Sequence, residues 1–94
     1  MFISSNIEQS AELLKFLGDT TRLKILNTLF SEGKEMCVNE IADAVGASQS
    51  ATSHQLARLE ALNILCCFRD GQKVCYEFTS APIVESVKNI LKIV

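Results

Sequence analysis

Between Ile7 and Leu17 the apolar residues return every three or four positions: Ile7, Ala11, Leu14 and Leu17 form a stripe that Leu13 and Phe16 widen. That spacing keeps one face of a helix apolar, so a first helix with a broad apolar face is predicted here. Gly18 ends it, and Asp19 is placed to cap a second helix. In that helix Leu23, Leu26 and Phe30 repeat at helical spacing, and Ile25 and Leu29 broaden the stripe as far as the polar run SEGKE. Two further helical segments follow, MCVNEIADAV and SQSATSHQLARLEALN, with Gly46-Ala47 between them. Gly46 suits the left-handed residue that closes one helix, and Ser48 suits the cap that opens the next. So short a connection favours a steep crossing of the two helices, the geometry of a helix-turn-helix.

Beyond Asn63 the pattern changes. The runs ILCCFR and KVCYEF are rich in β-formers and flank RDGQ, where Asp70-Gly71 is a hairpin-turn signal, so two short strands are predicted. Pro82 stands where a first helical turn tolerates it, and Ile83, Val84, Val87, Ile90, Leu91 and Val94 form a last apolar stripe. That terminal helix, like the first, calls for a partner. The expected fold is mainly α with a two-stranded β wing: a winged helix-turn-helix of order α-α-α-α-β-β-α, filling residues 1–94 as a single domain. A chain of 94 residues builds a limited core, which burial against a second copy would extend.

Composition narrows the function classes. Apolar residues are 48% of the chain and charged residues 21%, with a single Pro and no low-complexity segment, a globular balance. The start, MFISSNIEQSAELLKFLG, has no basic leader, and Glu8, Gln9, Glu12 and Lys15 interrupt its apolar residues. Neither a signal peptide nor a membrane span is expected, which makes the cytoplasm the expected compartment. There the four cysteines would be free thiols, metal ligands or redox sensors rather than a disulfide framework. The net charge of -2 speaks against non-specific nucleic-acid binding, which draws its affinity from Lys and Arg on phosphates.

The fourth helix nevertheless reads as a DNA reading head. Thr52, Leu56 and Leu59 are spaced to face the core, which leaves Gln49, Ser50, Ser53, His54 and Arg58 on the outer side, with Ser48 and Gln55 beside them. Short hydroxyl, amide and imidazole groups on an exposed helix suit base edges in the major groove; an ordinary solvated face is the competing reading. At the hairpin tip Arg69, Gln72 and Lys73 gather where a wing touches phosphates or the minor groove. Between Lys34 and Glu77 the basic residues Lys34, Arg58, Arg69 and Lys73 are outnumbered by Glu35, Glu40, Asp43, Glu60, Asp70 and Glu77. Placement offsets this, because three of those four cations lie near the expected DNA surface and Ser48 to His54 includes no carboxylate. Two subunits and a helix N-terminus aimed at a phosphate would add to the contact.

These segments carry a resemblance. FLGDTTRLKILNTL is similar to the opening of the ArsR/SmtB family of winged-helix repressors. EMCVNEIADAVGASQSATSHQLARLEALNIL followed by DGQKVCYEF resembles that family's third helix, recognition helix and wing. The likeness runs over residues 10 to 79, and SQSATSHQLARLE is its most specific part. It implies a homodimer joined through the first and last helices, bound to an inverted-repeat operator in double-stranded DNA and released by an inducer.

The inducer is a separate question. Members of the family often bind thiophilic metals through Cys-Val-Cys at the start of the third helix, or zinc-like metals through Asp and His on the last. Here the first place reads Cys37-Val38-Asn39, and SAPIVESVKNILKIV offers Glu85 as its only carboxylate and no His. No metal site is assigned on that basis, and a thiophilic ion, an oxidant or a persulfide acting on cysteine are the inducers weighed. Cys37, Cys66 and Cys75 are the candidate sensor thiols. Cys37 has the spacing of a capping box with Glu40, where a helix N-terminus would stabilise a thiolate, although a buried small apolar residue fits as well. A two-residue turn at Asp70-Gly71 would set Cys66 opposite Cys75 on one face, as a cross-strand disulfide, a shared soft-ion site or simply small residues on a half-exposed ribbon, and place Cys67 with Leu65, Val74 and Tyr76 on the core side; a longer turn would undo that pairing. An enzyme is not expected: there is one His, no Gly-rich phosphate loop and no paired acid and base at recognisable spacing. A winged helix used for protein contact, without metal or redox sensing, is the alternative.

Overall fold

The computed structural model describes residues 7–94, and capping chemistry marks the starts of α2 (Thr20–Glu32) and α4 (Gln49–Ala61). After α1 (Ile7–Leu17), the Asp19 carboxylate accepts the Arg22 N–H at 2.9 Å and starts α2 (Thr20–Glu32). A strand β1 (Met36–Cys37) leads directly into α3 (Val38–Val45), which Gly46 closes with φ 72°, a left-handed backbone that a Cβ would strain. The Ser48 hydroxyl accepts the Ala51 N–H at 3.0 Å and opens α4 (Gln49–Ala61). The hairpin β2 (Leu65–Asp70) and β3 (Lys73–Phe78) and then α5 (Pro82–Leu91) complete the order.

One core joins these elements. Ile25, Leu26 and Leu29 of α2 meet Ile41 of α3, Leu56 and Leu59 of α4, Ile64, Leu65 and Val87, all at most 1% exposed. Thr52 is fully buried with Leu56 and Leu59, as the spacing required, so the opposite face of α4 is turned outward. Among the described residues no helix is long and apolar enough to cross a membrane.

Three features depart from the sequence expectation. The sheet has three strands in the order β1-β3-β2, not two, because Met36 pairs with Tyr76 and Cys37 with Cys75. Met36 and Cys37 therefore do not begin a helix; they occupy the edge of β3, whose N–H and C=O groups would otherwise face solvent. The last helix also needs a partner less than its stripe suggests. Val84, Val87, Ile90 and Leu91 are buried within this chain's own core, and only Ile93 and Val94 beyond α5 stand exposed, at 81% and 69%. On α1 the reverse holds: Leu17 alone is buried, while Ile7 and Leu14 are exposed.

The third departure is the wing's register. Asp70 pairs with Lys73, so the two loop residues are Gly71 and Gln72, and Gly71 carries φ 67° at the first loop position, where a tight hairpin turn needs positive φ. Cys66 consequently lies opposite Glu77, and Phe68 opposite Cys75. The expected Cys66–Cys75 pairing is thus replaced by a diagonal placement. The face assignments survive, since each strand's pairing slips without changing which side its residues point to. Cys67 does share a face with Leu65, Val74 and Tyr76, yet it is exposed and is not part of the core, although Tyr76 directly opposite it is buried.

Candidate nucleic-acid interface and the thiols beside it

The outward face of α4 carries Gln49, Ser50, Ser53, His54 and Arg58, all exposed, with Ser48 exposed at its cap. Arg58 Nε donates to His54 Nε2 at 3.2 Å, so these two side chains hold one another along the helix. Gln55 is half-buried and differs from its neighbours: its Oε1 accepts from Arg22 Nε at 3.1 Å. On the wing Arg69, Gln72 and Lys73 are exposed, as are Asp70 and Gly71 between them.

The fold brings the two groups together. A groove of about 390 Å³ is lined by Gln49 and Ser53 of α4, Gln72 and Lys73 of the wing, Val38 and Asn39 at the start of α3, and Val74 and Tyr76. One basic and five polar uncharged side chains, the Tyr76 hydroxyl among them, meet there with no carboxylate, although the chain as a whole is acidic. The Tyr76 hydroxyl is pushed up to about 12, first by burial and then by its hydrogen bond with Cys67, so it stays a neutral donor.

Arg22 is the residue that sequence reasoning passed over. It is buried at 7% exposure and stacks over the Phe16 ring at 3.7 Å. Its guanidinium donates to the Phe16 carbonyl as well as to Gln55, which ties α1 and α4 to α2. A signal existed: Arg22 precedes Leu26 and Leu29 by four and seven positions, on the stripe that faces the core. Asn39 and Tyr76 also joined the groove unannounced, since only the fold sets them beside α4. Thr52 Oγ1 is buried with no hydrogen-bond partner among the described residues.

The thiols divide by environment. Cys37 and Cys75 are buried, Cys66 is half-buried and Cys67 exposed. Cys37 Sγ and Cys75 Sγ lie 2.7 Å apart across the β1–β3 ladder, one donating to the other. The capping box forms, with Glu40 Oε1 accepting the Cys37 N–H at 2.8 Å. It does not produce a thiolate. The Cys37 thiol is pushed up to about 11, first by its hydrogen bond with Cys75 and then by burial, and these outweigh the helix N-terminus. The Glu40 carboxyl is held below its usual value, chiefly by the Cys37 backbone N–H.

A tight thiophilic-metal site draws on three or more protein donors, several of them thiolates. Among the described residues no group of three or more Cys, His, Asp or Glu is arranged to hold a metal ion. Asn39 stands where a second thiolate would be needed beside Cys37, and Cys37 and Cys75 alone make a pair. The donor set does not fit such a metal.

Comparison with known proteins places these features in context. The family model described as bacterial regulatory protein, arsR family, matches residues 19–73. The cadmium resistance transcriptional regulatory protein CadC of Listeria innocua is 42% identical over 70 residues, 74% of this chain. That match covers 58% of CadC, so the chain spans less than two thirds of that relative's length. The transcriptional repressor BigR of Xylella fastidiosa superposes with a TM-score of 0.80 at 29% identity, covering 93% of this chain and 84% of that one. The homodimeric winged helix-turn-helix DNA-binding domain from Mycobacterium bovis superposes with a TM-score of 0.70 at 26% identity, covering 93% and 75%.

Proposed function

The chain belongs to the arsR family of bacterial regulatory proteins, and from that premise we propose that it represses transcription by binding an inverted-repeat operator as a homodimer and leaves it when an inducer acts on its thiols. Residues 1–94 act in this reading as one winged-helix DNA-binding domain. The observation that carries it is the carboxylate-free groove where Gln49 and Ser53 of α4 meet Gln72 and Lys73 of the wing. In an acidic chain, an outward helix face of hydroxyl, amide and imidazole groups beside Arg58, Arg69 and Lys73 is the surface that fits a major groove and its flanking phosphates. Ser48, Ser50, His54 and the amide of Gln55 complete the contact set.

The second copy is argued from α1. It carries exposed Ile7 and Leu14, and it borders a groove of about 700 Å³ where Ala11, Leu13 and Phe16 meet Leu62 and Ile83 of α5, with Glu8, Gln9 and Glu12 also in its lining. Apolar surface of that kind, running from the first helix to the last, is closed by a copy of itself in a two-fold assembly, as a palindromic operator requires. The inducer is read as an oxidant or sulfur species in preference to a metal ion, because the sulfurs pair while, among the described residues, no three metal donors converge.

Electrophoretic mobility shift on the DNA upstream of its own coding sequence tests the reading, with reduced and oxidised protein and over a range of salt. Retardation that weakens steeply with salt is expected. Absence of a shift at low salt in every redox state would overturn the repressor reading and favour a protein-contact role.

A further inference from the structure

Cys37 is at once the last residue of β1 and the cap of α3, and Cys75 lies in β3, the central strand of the sheet. Neither lines the groove proposed for DNA. They are cross-strand partners with their sulfurs 2.7 Å apart. Directly opposed residues in an antiparallel ladder hold their Cα atoms roughly 4.5–5.5 Å apart, within the span of about 4.4–6.8 Å that a disulfide tolerates. A bond between them therefore asks for side-chain rotation and no strand movement. Access exists as well: a separate groove of about 260 Å³, lined by Met36, Glu40, Asp70 and Lys73, opens onto both cysteines.

We propose that Cys37 and Cys75 form a two-electron oxidation site, converted by small hydroperoxides into an intramolecular disulfide that fastens the wing to the start of the helix-turn-helix. One sulfur, as thiolate, attacks a peroxide oxygen; the S–O bond forms, the O–O bond breaks, and the departing oxygen takes a proton to leave as water or alcohol. The second sulfur then attacks the sulfenic sulfur. The S–S bond forms, the S–O bond breaks, and hydroxide departs as water with the proton from the second thiol. Two electrons pass from the sulfur pair to the peroxide, and nothing else is consumed. Because the thiols are buried and Cys37 holds its proton, the site responds to sustained rather than trace oxidant, and faster as pH rises.

The inference deepens the proposed thiol-mediated release by naming the pair, and only its DNA arm rests on that reading. The test treats the full chain, reduced, with hydrogen peroxide and maps its peptides without reduction. A peptide joining Cys37 to Cys75, a fall from four titratable thiols to two, and a Tm higher by on the order of 10 °C are expected. C37S and C75S should each abolish the linked peptide, and C66S should leave it. Should a variant fail to fold, hydrogen exchange on the wild type gives the answer: amides of β1 and β3 slow at least tenfold on oxidation if the wing is fastened. A Cys66–Cys75 link, a disulfide between subunits, or unchanged exchange overturns the proposal. A mobility shift run in parallel separates the two ideas, since a mapped Cys37–Cys75 bond in a protein that never retards DNA counts against the repressor reading alone.

Discussion

The recognition helix and the base of the wing handle polar groups in opposite ways. On α4 the polar side chains of Gln49, Ser50, Ser53 and His54 point outward, where water serves them until a better partner arrives, while Thr52, Leu56 and Leu59 hold the helix from behind. At the base of the wing Cys37 and Cys75 are turned toward one another across two strands and satisfy each other out of solvent. The first arrangement suits a surface that exchanges water for a macromolecule. The second suits a chemical change, because partners already in contact have little ordering entropy left to lose. Recognition and sensing would thus sit in adjacent elements that share α3, whose N-terminus is Cys37 and whose C-terminal turn leads into α4.

The sharpest way to break the comparison is through the buried face of α4. Leu56→Ala should destabilise the protein by about 2–5 kcal/mol in urea unfolding, as truncation of a fully packed leucine does. Ser53→Ala, one turn away on the outer face, should stay within about 0.5 kcal/mol. Equal effects would mean that the two faces are not distinct.

On the outer face, Gln49→Ala or His54→Ala should weaken operator binding by roughly 1–3 kcal/mol in a salt-controlled titration, with urea midpoints unmoved. Lys73→Ala should weaken binding to all sequences alike and lower the salt slope by about one. Ser48→Ala removes the hydroxyl that accepts the Ala51 N–H and should lower stability by about 1 kcal/mol.

The smallest effects lie in pH dependence at the wing base. Glu40 has a depressed folded value, so its contribution is present above its ordinary value of 4.5 and is lost as pH falls through the lower folded one. Cys37 has a raised folded value, so its contribution is full below 9.0 and disappears as pH climbs through about 11. Urea midpoints followed across pH should slope in both windows. E40Q should flatten the acid slope and C37S the alkaline one; retained slopes would show that other groups carry them.

Much of this was legible in the chain. The caps Asp19 and Ser48, the stop at Gly46 and the three- and four-residue spacing of Thr52, Leu56 and Leu59 are local signals, since a helix is specified by residues within a turn or two of each other. They located α1, α2 and α4 closely, and α3 except for Met36 and Cys37 at its start, and with them the outward set on α4. The thiol arrangement was only half legible. Alternation put Cys66 and Cys75 on one face and Cys67 on the other, as observed, but which residue stands opposite which depends on the turn, and Gly71-Gln72 rather than Asp70-Gly71 occupies the loop. That slip moved Cys66 from Cys75 to Glu77.

The sequence by itself determined most of the helices, the outward polar face of α4 and the existence of a wing, because each rests on short-range periodicity and turn chemistry; the family resemblance rested on the particular residues of segments such as SQSATSHQLARLE. Only the tertiary structure decided that Met36-Cys37 is a third strand, that Arg22 reaches Gln55 across 33 positions, and that Cys37 meets Cys75 across 38. No local preference specifies such contacts. They arise when the shared core of α2, α3, α4 and α5 sets β3 beside the start of α3, and the backbone groups on the edge of β3 take the nearest strand as partner.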